Sequence, residues 1–186
     1  MLIKQNIITD ELLDLVDSQD KVIGQILRSK MWENRIGNVR VINAFLINEK
    51  NELWIPKRTA HKKIFPSCLD FSVGGFVMSG ETYQQAFERE TNEELNVDIR
   101  LSNYSFLFPL TPHEHKVSCF MHIYCIKTDT IPQYNKNDFD SSSWMSIDEL
   151  KRSIAAGVPV KGDLHEVLLY VESFFNSHET IIKTRN

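Results

Sequence analysis

Apolar positions along the chain fall into short extended runs separated by polar turns, with two stretches of helical period towards the end. Leu12 to Val16 and Val22 to Leu27 are apolar runs around Asp17-Ser18-Gln19-Asp20, which predicts an N-terminal β-hairpin. Val39 to Ile47 and Glu52 to Lys57 flank Asn48-Glu49-Lys50-Asn51 and predict two further strands. Val97 to Phe108 and Lys116 to Lys127 are later strand candidates, the second alternating apolar and polar residues. Asp70-Phe71-Ser72-Val73 is also strand-like and leads into Gly74-Gly75, while Thr59 to Ser67 and Thr128 to Ser143 read as loops.

Helix signals are concentrated at three places. Thr82-x-x-Gln85 and Ser146-x-x-Glu149 are capping boxes, and Asp163-Leu164-His165-Glu166 opens a last helix in similar fashion. Phe87, Thr91 and Leu95 give the first helix an apolar stripe, and the second ends near Gly157, before Pro159. Leu168, Leu169, Val171, Phe174 and Phe175 supply the apolar face of the third. Strands interspersed with helices argue for a layered α/β domain. No repeat or low-complexity tract marks a boundary, so residues 1–186 are expected to form a single domain. Its N-terminal hairpin extension would span about 1–30 and its C-terminal helices about 146–178.

The first of these helices carries the candidate chemistry. Glu90, Glu93 and Glu94 stand at i, i+3 and i+4, on one face within a turn of each other. Like charges stacked this closely repel, so a hard divalent cation taking oxygen ligands is their natural companion, with Mg2+ the leading candidate and Mn2+ the alternative. Composition adds little beyond solubility. The chain has 42% hydrophobic and 25% charged residues and a net charge of −4, which gives no electrostatic reason to expect nucleic-acid or membrane partners. The opening MLIKQNIITDELLDLVDSQD has acids inside its apolar stretch, so no signal peptide or membrane span is expected and a cytoplasmic location follows. Cys68, Cys119 and Cys125 are odd in number, and Cys119 and Cys125 would stand roughly 20 Å apart along a strand, so buried free thiols are expected.

The run from Gly75 to Val97 resembles the Nudix box: Gly75, five residues, Glu81, seven residues, Arg89-Glu90, then Glu93-Glu94 and an apolar Val97. Thr91 replaces a larger aliphatic and Asn96 the helix-ending glycine, yet Thr91 keeps a methyl for the core and Asn tolerates a left-handed cap. The resemblance implies an α/β/α sandwich with a mixed sheet and a loop-helix-loop metal site. It also implies Mg2+-dependent hydrolysis of nucleoside diphosphates linked to another moiety. In that reading Gly75, through its carbonyl, and Glu90, Glu93 and Glu94 hold the metal. Arg89 orients the acidic cluster with Glu81 behind it, and Glu93 and Glu94 are the firmest catalytic candidates.

Outside the box, Glu114, His115, Asp138 and Asp140 are candidates for the base, with Glu114 preferred. His113-Glu114-His115 reads either as a metal site or as a solvated hairpin tip. Arg58 and Lys62, from a basic cluster with Lys57, His61 and Lys63, are candidates to meet the phosphates of a small-molecule diphosphate substrate. Trp32, Trp54 and Phe76 offer surfaces for a base, though packing is the favoured reading. The N-terminal hairpin and the Lys57-Arg58, Pro66, Gly74-Gly75 arrangement also resemble the branch containing isopentenyl diphosphate isomerase. Its pattern has a catalytic cysteine at the position of Gly74 and a metal-binding histidine at that of Phe76, and Cys68 lies six residues too early to substitute. An isomerase and a catalytically inactive nucleotide-binding module are therefore the alternatives to a hydrolase. The hairpin and the last helix are where a homodimer surface is expected.

Overall fold

In the computed structural model the chain is described over residues 10–183, so the first nine residues of the expected hairpin extension lie outside the described part. Strands β1 (Leu12–Val16) and β2 (Val22–Leu27) form the expected hairpin as a separate two-stranded sheet. A short helix α1 (Arg28–Asn34) follows, then β3 (Arg40–Ile47), β4 (Leu53–Arg58), β5 (Val73–Phe76) and helix α2 (Tyr83–Leu95). Strands β6 (Asn103–Leu110), β7 (Phe120–Lys127) and β8 (Phe139–Met145) precede helices α3 (Ile147–Ala155) and α4 (Leu164–Lys183).

Six strands make the main sheet in the order β6-β7-β3-β4-β8, with β5 paired to β3 off that path. β3 runs parallel to β7 along its whole length and antiparallel to β5 and β4, so the sheet is mixed. Successive side chains of a strand point to opposite faces, and in β3 both faces are covered. Phe45 and Ile47 join one apolar cluster with Leu150 of α3 and Leu164, Val167, Leu168 and Val171 of α4. Ile42, Ala44 and Leu46 join a second cluster with Ala86, Phe87 and Leu95 of α2. An α/β/α sandwich results.

The box helix begins and ends as its sequence requires. The Thr82 hydroxyl accepts from the Gln85 backbone N–H while Gln85 returns a bond to the Thr82 N–H, and Asn96 closes the helix in the left-handed region at φ 53°. The hairpin is fastened to the loop before it. Leu12 O accepts from Ser79 N, and the Asp14 carboxylate accepts from the Ser79 hydroxyl and the Gly80 N–H. Asp20 receives the Tyr83 hydroxyl and the Arg40 guanidinium.

Several expectations change. α1 has only two large apolar residues, Met31 and Trp32, of which Met31 alone is buried, and no capping side chain, so its pattern is too short to signal a helix. β8 occupies the end of the stretch read as a loop, because Asp-Ser-Ser-Ser has little strand preference and is held by antiparallel pairing to β4. β6 starts later than expected, since Asp98 accepts from Arg100 N and turns Ile99–Leu101 into a 3-10 turn. β7 likewise starts at Phe120 rather than at Lys116. Gly74 and Gly75 lie within β5, paired to Asn43 and Ile42, rather than in a turn after a strand. At the start of α4 the Asp163 carboxylate accepts from the Ser118 N–H and hydroxyl, both through Oδ2. Leu169 is 40% exposed, so the apolar face of α4 is made by Leu164, Val167, Leu168 and Val171 with Phe175 packed against them.

Cys68, Cys119 and Cys125 are buried free thiols. Among the described residues no helix is long and apolar enough to cross a membrane. Thr91 is fully buried and, among the described residues, its hydroxyl has no hydrogen-bond partner. Thr91→Val replaces that hydroxyl with a methyl at nearly constant helix preference. It should therefore raise stability by about 1 kcal/mol, or the melting temperature by about 2–4 °C. A thermal melt that drops instead would show the hydroxyl to be satisfied.

Candidate active site

The acidic face of α2 and the glycine strand β5 meet at one end of the sheet. Arg89 joins them. Its Nε and Nη2 donate to the two Glu81 oxygens at 2.8 and 2.9 Å, its Nη1 to Glu90 Oε1 at 2.7 Å, and its Nη2 also to the Phe76 carbonyl at 2.9 Å. Glu93 approaches the same guanidinium at 3.6 Å. This two-pronged pairing lowers the Glu81 pKa, through the Arg89 hydrogen bonds first, and raises that of Arg89.

The Glu90 carboxyl lies against the Cα of Gly75, so closely that a Cβ there would overlap it. This is why position 75 carries no side chain. Glu94 accepts from the Gly74 N–H at 3.0 Å. Burial pushes its pKa up to about 8, the Glu90 and Asp70 charges push the same way, and Lys161 and the Gly74 N–H oppose them. Burial also raises Glu90, against the pull of Arg89.

Glu90, Glu93, Glu94, Gly74 and Gly75 all border one cavity of about 660 Å³. Its cations are Arg28, Arg58, Lys62 and Lys161. Arg58 largely serves the loop after β4. Its guanidinium donates to Phe65 O, Ile64 O and Asp70 Oδ2, and this hook holds a segment in which Phe65 and Ser67 take positive φ of 52° and 57°. Lys62 borders the cavity paired with Asp138. The buried Asp70 also receives Lys161 at 3.0 Å, a cavity residue that no sequence signal marked.

Three of the expected residues fall elsewhere. Glu114 is exposed in the turn from Thr111 to His115 and is not among the residues bordering the cavity, so the structure does not bring the preferred base to the site. His115 accepts from Thr111 N and packs edge-on to Tyr170, while His113 faces Phe120, which makes the His-Glu-His stretch a turn docked on α4. Asp140 accepts from the Ser141 hydroxyl and likewise does not border the cavity. Trp54 is wholly buried beside Tyr134 and Phe139, as favoured. Trp32 and Phe76, in contrast, border the cavity.

The glycine strand, the Arg89-ordered acids and the capped helix match a known arrangement, and the NUDIX domain family matches residues 37–168. The chain belongs to the Nudix family. An uncharacterized Nudix hydrolase of Nostoc sp. is 49% identical over 154 residues, which cover 83% of this chain and 91% of that protein. A Nudix hydrolase of Deinococcus radiodurans is 46% identical over 164 residues, covering 87% and 94%. A crystal structure from D. radiodurans matches with a TM-score of 0.83 at 46% identity, covering 86% of this chain and 98% of that one. Nudix hydrolases are pyrophosphatase-type enzymes that act on small molecules and use divalent metal cations.

The donors of this Nudix box suit such a cation, being carboxylates and backbone carbonyls around one cavity. Among the described residues no three His, Cys, Asp or Glu side chains already converge as a ligand set. Glu90 is turned to Arg89, and the Glu93 side chain is 58% exposed.

Two outcomes follow from this geometry. In Gly75→Ala the new methyl overlaps the Glu90 carboxyl and Cγ, so the Glu90 side chain must swing away from the strand and from Arg89. The fold should survive while divalent-cation affinity, measured by calorimetry, falls about 10–100-fold; an unchanged affinity would mean that Glu90 is not needed there. In chelator, the folded protein keeps Glu94 protonated up to about pH 8, whereas an unfolded glutamate releases its proton near 4.5. The folded state binds the extra proton between these values, so its stability falls as pH rises through that window. Glu94→Gln should flatten the fall in melting temperature, and parallel wild-type and variant curves would refute the shift.

Proposed function

We propose that the chain hydrolyses a diphosphate linkage in a nucleoside diphosphate derivative with Mg2+, held by Glu90, Glu93, Glu94 and the Gly75 carbonyl. The observation carrying this reading is that the three box carboxylates and the Gly74-Gly75 strand border the same cavity as Arg28, Lys62 and Lys161. A diphosphate needs its charge neutralised and a water positioned, with little covalent work by the protein. A bound divalent cation supplies charge neutralisation and a more acidic water.

The chain's own residues do the rest. Arg89 fixes Glu90 and leaves Glu93, the most exposed of the three, able to turn towards the water and take its proton. Lys161, anchored by Asp70, and Lys62, anchored by Asp138, present ammonium groups to the phosphate oxygens. Arg58 supports this wall through Asp70 and the loop carbonyls.

The isomerase alternative lacks its cysteine, and position 74 has little room for one. A Cβ on Gly74 would stand 2.7 Å from Asn43 Oδ1 and 3.2 Å from Lys161 Nζ. Phosphate release from a panel of nucleoside diphosphate derivatives with Mg2+ tests the proposal. Glu93→Gln and Glu94→Gln should each lower the rate by about 10²–10⁴-fold. A wild-type protein inert across the panel, or variants that match it, would leave the binding-module reading in its place. Deuterium incorporated into isopentenyl diphosphate in heavy water would restore the isomerase.

A further inference from the structure

Ahead of residues 37–168, which the family matches, the hairpin and α1 send three side chains to the same cavity: Glu11, Arg28 and Trp32. They meet Phe76, one residue beyond the metal-side Gly75, and form a wall unlike the rest of the site. Trp32 packs at right angles to Phe76 with ring centres 6.2 Å apart. Arg28 lies over the Phe76 ring at 5.0 Å and is fixed by a 2.8 Å ion pair to Glu11. Trp32 is nevertheless 40% exposed, whereas Trp54 is fully buried.

An indole left half-open on a cavity wall costs hydrophobic free energy unless something flat and apolar covers it in use. The fixed Arg28-Glu11 pair beside it brings a donor and an acceptor, the equipment for reading the edge of a heterocycle. The acidic end of the cavity, by contrast, is suited to metal and phosphate. Because Arg28 already occupies one approach to the Phe76 ring, Trp32 is the open aromatic surface.

We infer that Trp32, backed by Phe76 and flanked by Arg28 and Glu11, is the subsite that stacks the nucleobase of the substrate. This rests on the hydrolase reading for its orientation but is a claim about binding alone. The N-terminal segment thereby sets specificity: it selects aromatic bases over aliphatic groups on the far side of the diphosphate. α1 is the element that brings Arg28 and Trp32 together, since a spacing of four residues puts them on one helical face.

The test uses ligands that cannot be cleaved. α,β-Methylene analogues of ADP, GDP, CDP and UDP are titrated with Mg2+ by calorimetry and tryptophan fluorescence, with methylenediphosphonate as the base-free control. At least one analogue should bind about tenfold or more tightly than the control and quench emission. Trp32→Ala should remove that advantage while changing affinity for the control less than twofold, and Trp32→Phe, which keeps a ring, should retain most of it. Equal affinity for the analogues and the control overturns the proposal. So does an equal loss for both in Trp32→Ala, when thermal melts show that variant folded; if it is unfolded, Trp32→Leu takes its place with the same expected results. Trp32-dependent binding of the analogues, together with no cleavage across the panel of cleavable nucleoside diphosphate derivatives, would sink the hydrolase reading and leave the subsite standing. Cleavage of diphosphates with no dependence on Trp32 would do the reverse.

Discussion

The Arg89 guanidinium is where strand, loop and helix are tied together. It grips Glu81 with two bonds, Glu90 with a third and the Phe76 carbonyl with a fourth. Without it, Glu81 and Glu90 would repel, and the Phe76 end of β5 would lose its bond to that helix. Because a guanidinium is planar and permanently charged, it does this without any proton uptake, while Glu94 is tied to the strand through the Gly74 N–H and Glu93 remains the most exposed of the three acids. The absence of a side chain at Gly75 is the counterpart: the arginine can draw Glu90 to the strand only because no Cβ stands there.

Around this joint the sheet does two jobs. Its centre is covered on both faces, by α2 on one side and by α3 and α4 on the other, which makes β3 an apolar run over nearly its whole length. At its end the cavity is walled by segments distant in sequence. α1 contributes Arg28 and Trp32, the loop after β4 contributes Lys62, and the turn before α4 contributes Lys161. Buried Asp70 links two of these walls by accepting Arg58 and Lys161 together, a sharing of one carboxylate that compensates its removal from water. The result is a site with acids along one helix and cations from several loops, a division suited to a metal on one side and phosphates on the other.

Much of this was legible beforehand where the signal is local. The two capping boxes, the asparagine cap at Asn96, the hairpin and the register of the box all follow from spacings within a turn or two of chain, and the structure has them. Signals failed where pairing or distance decides. β8 has the composition of a loop and is a strand because β4 offers it an edge. Glu114 has the right chemistry beside a strand, but its turn docks on α4 and the residue does not border the cavity. Arg58, a candidate to meet phosphates, does border the cavity, but its loop and Asp70 engage its guanidinium, which spacing along the chain did not foretell.

The sequence by itself therefore determined the acidic helix, its boundaries, its glycine partner and the family they belong to. The helix and its boundaries rest on periodicity and capping, which act over a few residues and need no knowledge of the fold, while the glycine partner and the family rest on the resemblance of the Gly75–Val97 run to the Nudix box. Only the tertiary structure decided which cations face those acids, that Lys161 and Arg28 are among them, and that Trp32 lies on the cavity wall while Trp54 is in the core. Those outcomes depend on how sheet order and loop packing bring residues from opposite ends of the chain to one cavity, and spacing along the chain carries no record of that.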